Sequence, residues 1–299
     1  MKKQLLAIAV TALVATGAFA QATDTLAKVK ASGSVTMGVR DSSGALSYTL
    51  GDGKYAGYHV EVCQRIIANL EKAAGKSLTI KYQPVTSQNR VPLIQNGTVD
   101  LECGSTTNNA TRQKDVSFAL TTFVEEIRIA VKGNSGITSI AQLNGKTVAT
   151  TTGTTSVQTL RRNERATGVD FKELLGKDHA DSFLLLESGR ADAFVMDGSI
   201  LAGNIANAKN PADFKIVGEV LSVEPIAIMI HKDDAAFKKL ADDTIRDLIK
   251  TGELAKMYDK WFMQPIPPKN ARVGLAASDT LKAAWANPND KPMEDYAKK

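Results

Sequence analysis

Two stretches of this chain carry the same pattern at one fixed spacing, and that repeat limits the fold more than any other feature. Leu93 to Ser105 reads LIQNGTVDLECGS, and Leu185 to Asp197 reads LLESGRADAFVMD. Gly97 corresponds to Gly189, Asp100 to Asp192 and Ser105 to Asp197, all with the same separation. Each copy reads as a helix end, a glycine stop, a short strand, and then a polar residue where the strand finishes. A duplicated strand end predicts two similar lobes that face each other across a polar site.

The chain has 299 residues, enough for one large domain or two smaller ones. It opens MKKQLLAIAVTALVATGAFAQA, with Lys2 and Lys3 as a basic start, an apolar run from Leu5 to Val14, and Ala18-Phe19-Ala20 as an A-x-A site. This is the form of a secretory signal peptide cleaved near Ala20. The apolar run is short for a bilayer span. No later segment approaches transmembrane length, so an exported, soluble, periplasmic protein is expected. The net charge of +5 is spread along the chain, and aromatics make up only 6%. These values argue against nucleic-acid binding and against a carbohydrate cleft lined with stacking rings. Cys63 and Cys103 are the two cysteines. In an oxidising compartment they form a disulfide, or else they are two buried thiols; spacing does not decide between these. With no CxxC and no Cys/His cluster, neither a metal nor a cofactor is expected.

Strands and helices alternate along the chain. Strands are expected at Val35–Val39, Leu78–Tyr82, Val99–Cys103, Ile127–Lys132, Thr147–Thr151, Ala193–Met196 and Ile226–Ile230, with a hairpin around Gly51-Asp52-Gly53. Helices are expected at Val60–Ala74, Asn89–Gln95, after Gly153, at Ser182–Ser188 with Asp181 as N-cap, at Ala235–Lys250 and at Glu253–Phe262. The tail beyond Pro265, Pro267 and Pro268 is polar, but Leu281 and Trp285 are expected to pack it on the surface. The fold class is therefore α/β, with two Rossmann-like lobes joined by a two-strand hinge. The expected division is 1–20 signal peptide, 24–127 first part of lobe 1, 128–226 lobe 2, and 227–299 the return to lobe 1 with the final helices.

Ligands in open α/β sheets sit at the carboxyl ends of strands. The polar residues expected there are Arg40, Ser87, Arg90, Ser105, Thr106, Thr107, Arg112, Thr154, Thr155, His179 and Asp197. Arginine forks match carboxylates, and helix starts such as GSTTNNATR and GTTS add N–H donors. One lone carboxylate opposite these cations suits an ammonium. A ligand with two carboxylates and one ammonium meets every demand, and that describes an acidic amino acid. Each residue also has an ordinary reading: Arg90 and Arg112 as solvated surface groups, Asp197 as a helix N-cap, His179 as an exposed, paired side chain. Other motifs fail. Gly51-x-Gly53-x-x-Ala56 lacks the acidic residue of a dinucleotide site, and Asn144-Gly145-Lys146-Thr147 lacks the first glycine of a phosphate loop. Neither G-x-S-x-G nor H-E-x-x-H occurs.

The segment TSQNRVPLIQNGTVDLECGSTTNNATRQKDVSF, Thr86 to Phe118, resembles the periplasmic amino-acid-binding proteins of ABC importers, and within them the glutamate/aspartate binders. GTTS at Gly153, DHADSFLLLESGRADAFVMD at Asp178, GELAKMYDKWF at Gly252 and IPPKN at Ile266 agree with it. One departure is His59, which follows Gly57-Tyr58 where the broad family often has an acidic residue. The resemblance implies a type II periplasmic binding fold of the Venus flytrap kind. It implies a monomeric binder, not an enzyme, with glutamate or aspartate as ligand and membrane permease subunits as partners. It further implies that Arg112 clamps the α-carboxylate, helped by Ser105 and Thr107, and that Asp197 takes the α-ammonium. Arg40, Ser87, Arg90 and His179 would hold the side-chain carboxylate, and Thr155 would bind from the second lobe. The alternatives are a binder of another amino acid such as glutamine, or an exported enzyme on the same fold, of the cyclohexadienyl or arogenate dehydratase type. Such an enzyme needs an acid against its leaving hydroxyl, and Glu102 is the nearest candidate.

Overall fold

A computed structural model describes residues 24–296. The proposed signal peptide lies outside the described residues. Two five-stranded sheets organise the rest. In the first, the order is Thr79–Pro84, Ser34–Val39, Leu101–Glu102, Met229–His231, Val116–Phe118. Its first three strands run parallel, and Met229–His231 runs against them. In the second, the order is Lys172–Gly176, Thr147–Thr151, Ala193–Asp197, Phe123–Lys132, Phe214–Ile226, again with three parallel strands followed by an antiparallel pair.

The repeat does the same work in both sheets. Gly97 and Gly189 take φ of 73° and 75°, the left-handed conformation that ends a helix and that glycine adopts without penalty. Val99 N–H then donates to Leu93 O at 2.9 Å, and Ala191 N–H to Leu185 O at 2.8 Å. The Asp100 carboxylate accepts from Thr36 N at 2.7 Å, and the Asp192 carboxylate from Thr147 N at 2.8 Å. Each aspartate thus fixes the strand that follows it beside its parallel neighbour, Ser34–Val39 in one sheet and Thr147–Thr151 in the other. The strand that follows is held in place to deliver its last residue to the cleft.

The lobes have separate cores. Met37, Ile66, Leu70, Ile230 and Phe262 are buried in one, and Ile129, Val148, Leu160 and Val195 in the other. Two long antiparallel strands, Phe123–Lys132 and Phe214–Ile226, pass between them. Phe123 and Val124 belong to the first core and Ile127 to the second, so the crossing falls between these residues. The first begins four residues before the expected Ile127–Lys132 strand; the second is not among the expected strands, and the expected Ile226–Ile230 strand forms only as Met229–His231. Buried Glu125 and Glu224 interrupt the apolar runs, and they face each other in the ladder.

The Tyr58–Ala74 helix packs Val62, Ile66, Ile67 and Leu70 inward and ends at Gly75 with φ 72°. The expected hairpin forms between Ser47–Gly51 and Lys54–Ala56, with Asp52 and Gly53 both at positive φ. That is the two-residue turn that suits twisted strands. Ala235–Lys250 is one helix, whereas Glu253–Tyr258 passes into a wider π-helical turn at Asp259–Met263. The tail forms a helix at Asp279–Ala286 that buries Leu281, and Trp285 Nε1 donates to Thr122 O at 3.1 Å, beside the crossing strand. Among the described residues, no helix is long and apolar enough to cross a membrane.

Cys63 and Cys103 are joined by a disulfide that ties the Tyr58–Ala74 helix to the end of the Leu101–Glu102 strand, across a sequence separation of 40. Closing a loop of this length restricts the unfolded chain by about 4 kcal/mol in the chain-entropy treatment. Replacing both cysteines with alanine should therefore lower unfolding free energy by roughly 2–4 kcal/mol in urea titrations. Reductant should destabilise the parent protein by a similar amount and leave the variant unchanged.

Candidate functional site

All six parallel strands end at the same cleft, and each supplies a polar side chain. Arg40 follows Ser34–Val39, Ser87 and Arg90 follow Thr79–Pro84, and Ser105 follows Leu101–Glu102. From the other sheet, Thr155 opens the helix after Thr147–Thr151, His179 opens the helix after Lys172–Gly176, and Asp197 ends Ala193–Asp197. A small cavity is lined by Ser87, Arg90, Ser105, Thr107, Thr154, Thr155, His179, Met196 and Asp197. Seven of the nine residues expected at the site are among these. Arg40 and Arg112 lie just behind the lining and are bonded to it.

The lobes meet across this cleft. Arg40 Nη2 donates to Asp178 Oδ1 at 2.6 Å and to His179 Nε2 at 3.2 Å. Ser42 Oγ donates to Asp178 Oδ2 at 2.7 Å. On one rim, a Cβ on Gly153 would stand 2.9 Å from the Ser87 carbonyl carbon, and on the other a Cβ on Gly203 would stand 2.7 Å from Gly44 Cα. Glycine at these positions lets backbones of opposite lobes touch.

Arg40 and Arg90 define the chemistry. Arg40 is fully buried and Arg90 is 2% exposed. Nε and Nη1 of both have no hydrogen-bond partner, nor does Ser87 Oγ. Arg90 forms no salt bridge with any described residue. Burial, then the neighbouring Arg112 and Arg40, lower its pKa well below the usual arginine range, with only partial relief from Glu102 and Asp197. A buried guanidinium without a counter-ion costs several kcal/mol. An anion entering the cavity removes that cost.

Arg112 is half-buried, and Nη1 donates to Thr107 O at 2.8 Å. Nη2 reaches Gly153 O at 3.5 Å, across the cleft. Thr107 O already occupies part of its fork. His179 is buried, and burial together with Arg40 lowers its pKa to about 3, so the ring is neutral. Arginine can only donate, so Nε2 accepts from Arg40, and Nδ1–H donates to Thr151 Oγ1 at 3.0 Å. In this arrangement His179 orients Arg40.

Asp197 sits at the N-cap position of the Gly198–Ala206 helix, but its side chain makes no capping hydrogen bond. Glu125, from the crossing strand, does the capping instead: Oε2 accepts from Ser199 N at 3.2 Å, and Oε1 accepts from Ser199 Oγ. The Asp197 carboxylate is thereby left for the cleft. Burial, then the nearby Glu224, raise its pKa to about 7 against the pull of Arg90 and Arg112.

The expectation of one lone carboxylate does not hold. Glu102, Asp178 and Glu224 also stand close to the cationic set. Burial opposes ionisation of Asp178, yet Arg40 outweighs it and holds the carboxyl at about 2. The helix expected from Ser182 starts at His179, which puts Asp178, not Asp181, at its N-cap position. Glu224 Oε2 accepts from Thr107 Oγ1 at 2.7 Å and from Thr155 Oγ1 at 2.6 Å. A charged residue inside an otherwise apolar strand, LSVEPI, was the available signal for Glu224. Glu102 is not among the residues that line the cavity, and its Oε2 accepts from Thr106 Oγ1 at 2.6 Å. His59 is buried outside the cavity, between Gly104 O and Thr122 Oγ1.

The raised Asp197 pKa has a signed consequence. Between the ordinary carboxyl pKa and about 7, the folded protein keeps a proton that the unfolded chain releases. Ligand-free stability should therefore fall as pH rises through that window. Asp197→Asn should remove this loss, making the ligand-free protein more stable at pH 8 by about 2–4 kcal/mol, at roughly 1.4 kcal/mol per pKa unit. Near pH 4 the two proteins should unfold at the same urea concentration.

Residues 35–264 match the sequence profile of the bacterial extracellular solute-binding proteins, family 3. A glutamate/aspartate import solute-binding protein of Escherichia coli is 43% identical over 295 residues, 96% of this chain and 98% of that one. An L-glutamate/L-aspartate-binding protein of Pseudomonas aeruginosa is 44% identical over 275 residues, 91% of each chain. Among solved structures, a cysteine-binding protein from Campylobacter jejuni superposes with a TM-score of 0.70 at 26% identity, over 80% of this chain and 93% of that one. An ancestral arginine-binding protein bound to glutamine gives 0.69 at 27% identity, over 77% and 98%.

Proposed function

This chain belongs to family 3 of the bacterial extracellular solute-binding proteins, and we propose that it captures glutamate or aspartate between its lobes and delivers it to the permease of an ABC importer. The observation that carries this reading is the pair of buried guanidiniums, Arg40 and Arg90, whose Nε and Nη1 groups lack partners. A ligand side-chain carboxylate would take these donors together with Ser87, with His179 steering Arg40. Arg112 would turn its fork to the α-carboxylate, and Asp197 would receive the α-ammonium. The relatives named above support the choice of an acidic amino acid and a transport role, not an enzymatic one.

Ligand binding and closure are one event in this account. The contacts of Arg40 with Asp178 and His179 span the cleft, as does that of Thr107 Oγ1 with Thr155 Oγ1 at 3.3 Å. They form only when the two-strand hinge has closed. Closure also excludes water, which strengthens each ionic contact. The permease would then read the closed shape.

Glutamine differs from glutamate in the charge that meets Arg90. Truncating one partner of a buried charge pair typically costs about 2–5 kcal/mol. Arg90→Ala should thus weaken glutamate at least about thirtyfold in calorimetry, and glutamine severalfold at most. Equal losses for both would remove Arg90 from the side-chain pocket. In this reading the protein works in the periplasm after cleavage of its signal peptide near Ala20. Intact-mass analysis of exported protein should show loss of the segment through Ala20, and a retained Met1 would contradict it.

A further inference from the structure

Glu224 is not part of the cavity wall, yet it touches two residues that are. It is fully buried on the Phe214–Ile226 crossing strand. Oε2 accepts from Thr107 of one lobe and from Thr155 of the other. Oε1 has no hydrogen-bond partner. Both threonines line the cavity, and their oxygens stand 3.3 Å apart.

A carboxylate has no proton to give, so both hydroxyls must donate to it. Each hydroxyl has one proton, and that proton is then committed. What each oxygen can still offer is lone pairs. In the closed form, Thr107 Oγ1 and Thr155 Oγ1 are therefore acceptors only. They suit an N–H donor and oppose a carboxylate. The sequence resemblance pairs Thr107 with the ligand α-carboxylate through hydroxyl and backbone N–H; with Glu224 in place, only the N–H of Thr107 can do that.

We propose that Glu224 is a positioning residue that turns the Thr107 and Thr155 hydroxyls into acceptors for the ligand ammonium, and does so only when the lobes have closed. In the open form Thr155 moves away with its lobe and its proton is free. Closure alone brings both hydroxyls to the one oxygen, so recognition of the ammonium and closure share a group. The ammonium would lie between the two hydroxyl oxygens and Asp197, which also lines the cavity. The unpartnered Oε1 of Glu224 adds negative potential there without touching the ligand. This inference rests on the amino-acid part of the proposed function, not on the choice of glutamate.

A double-mutant cycle tests it. Glu224→Met keeps the length but removes the acceptor that both hydroxyls share, which frees their protons to point at the ammonium. Calorimetry on the full mature chain should show a 10- to 100-fold loss of amino-acid affinity for Glu224→Met. In stopped-flow, the loss should appear in the dissociation rate, because the contact forms after closure. Thr107→Val/Thr155→Val removes the groups through which Glu224 acts. In that background Glu224→Met should cost less than threefold, or improve binding, since it removes a buried charge left without donors. Circular dichroism and urea unfolding check that all variants fold. Thr155→Val alone serves as the background if the double threonine variant does not. The same fold loss in both backgrounds would show that Glu224 acts independently of the hydroxyls, and no loss in the parent background would remove it from recognition; either result overturns the proposal. The cycle is run with whichever α-amino acid the parent protein binds most tightly. A parent that rejects glutamate and aspartate but binds another amino acid contradicts the proposed function while the cycle still decides the role of Glu224.

Discussion

Charge withdrawn from water must be balanced, and the closed cleft is built around that constraint. Arg40 and Arg90 are buried with N–H groups that no described residue satisfies. Asp178 answers one edge of Arg40, while Glu102 and Asp197 reach Arg90 only as a field. The residual positive charge has no internal remedy. Two arginines cannot be left this way in a dry core without a cost of several kcal/mol. That cost is removed by a ligand that brings its own carboxylate.

The opposite end of the cleft carries the opposite problem. Burial and Glu224 keep Asp197 partly protonated in the ligand-free closed form. Glu125 caps the Gly198–Ala206 helix in its place, so Asp197 has no structural duty at the helix start. Excess positive charge at one end and excess negative charge at the other give the cavity a direction. An α-amino acid has the same polarity along its length. The two glutamates that create this arrangement, Glu125 and Glu224, face each other on the crossing strands. The hinge therefore takes part in the electrostatics of the site as well as in the motion.

Much of this was legible in the sequence because the repeat is local. Gly97 and Gly189, with Asp100 and Asp192, set the same turn and the same strand pairing in both lobes, so the strand ends and their residues followed from spacing. Hydrophobic periodicity placed Tyr58–Ala74 and Ala235–Lys250 to within two residues. What was not legible depends on contacts between distant segments. Glu224 and Thr107 are 117 positions apart, and Arg40 and Asp178 are 138 apart. No local pattern announces such pairs. The crossing strand Phe214–Ile226 carries no strand signal in sequence because Lys215, Gly218, Glu219 and Glu224 break its alternation. Asp178 and Asp181 are equivalent N-cap candidates in sequence; in the structure Asp178 holds that position and pairs with Arg40 of the other lobe. Leu281 and Trp285 pack the tail onto the protein as their apolar character suggests, with the Trp285 indole beside the crossing strand.

The central claim is that this cleft is completed by a ligand with two carboxylates and one ammonium. A thermal-shift panel of the common amino acids on the ligand-free protein tests it most directly, since a ligand that binds only the native state raises stability by RT ln(1 + [L]/Kd). At 100 times Kd the gain is about 2.7 kcal/mol. Glutamate or aspartate should raise the midpoint, with glutamine well behind and the cationic and branched apolar amino acids without effect. Preferential stabilisation by lysine, or by a branched apolar amino acid, would contradict the account.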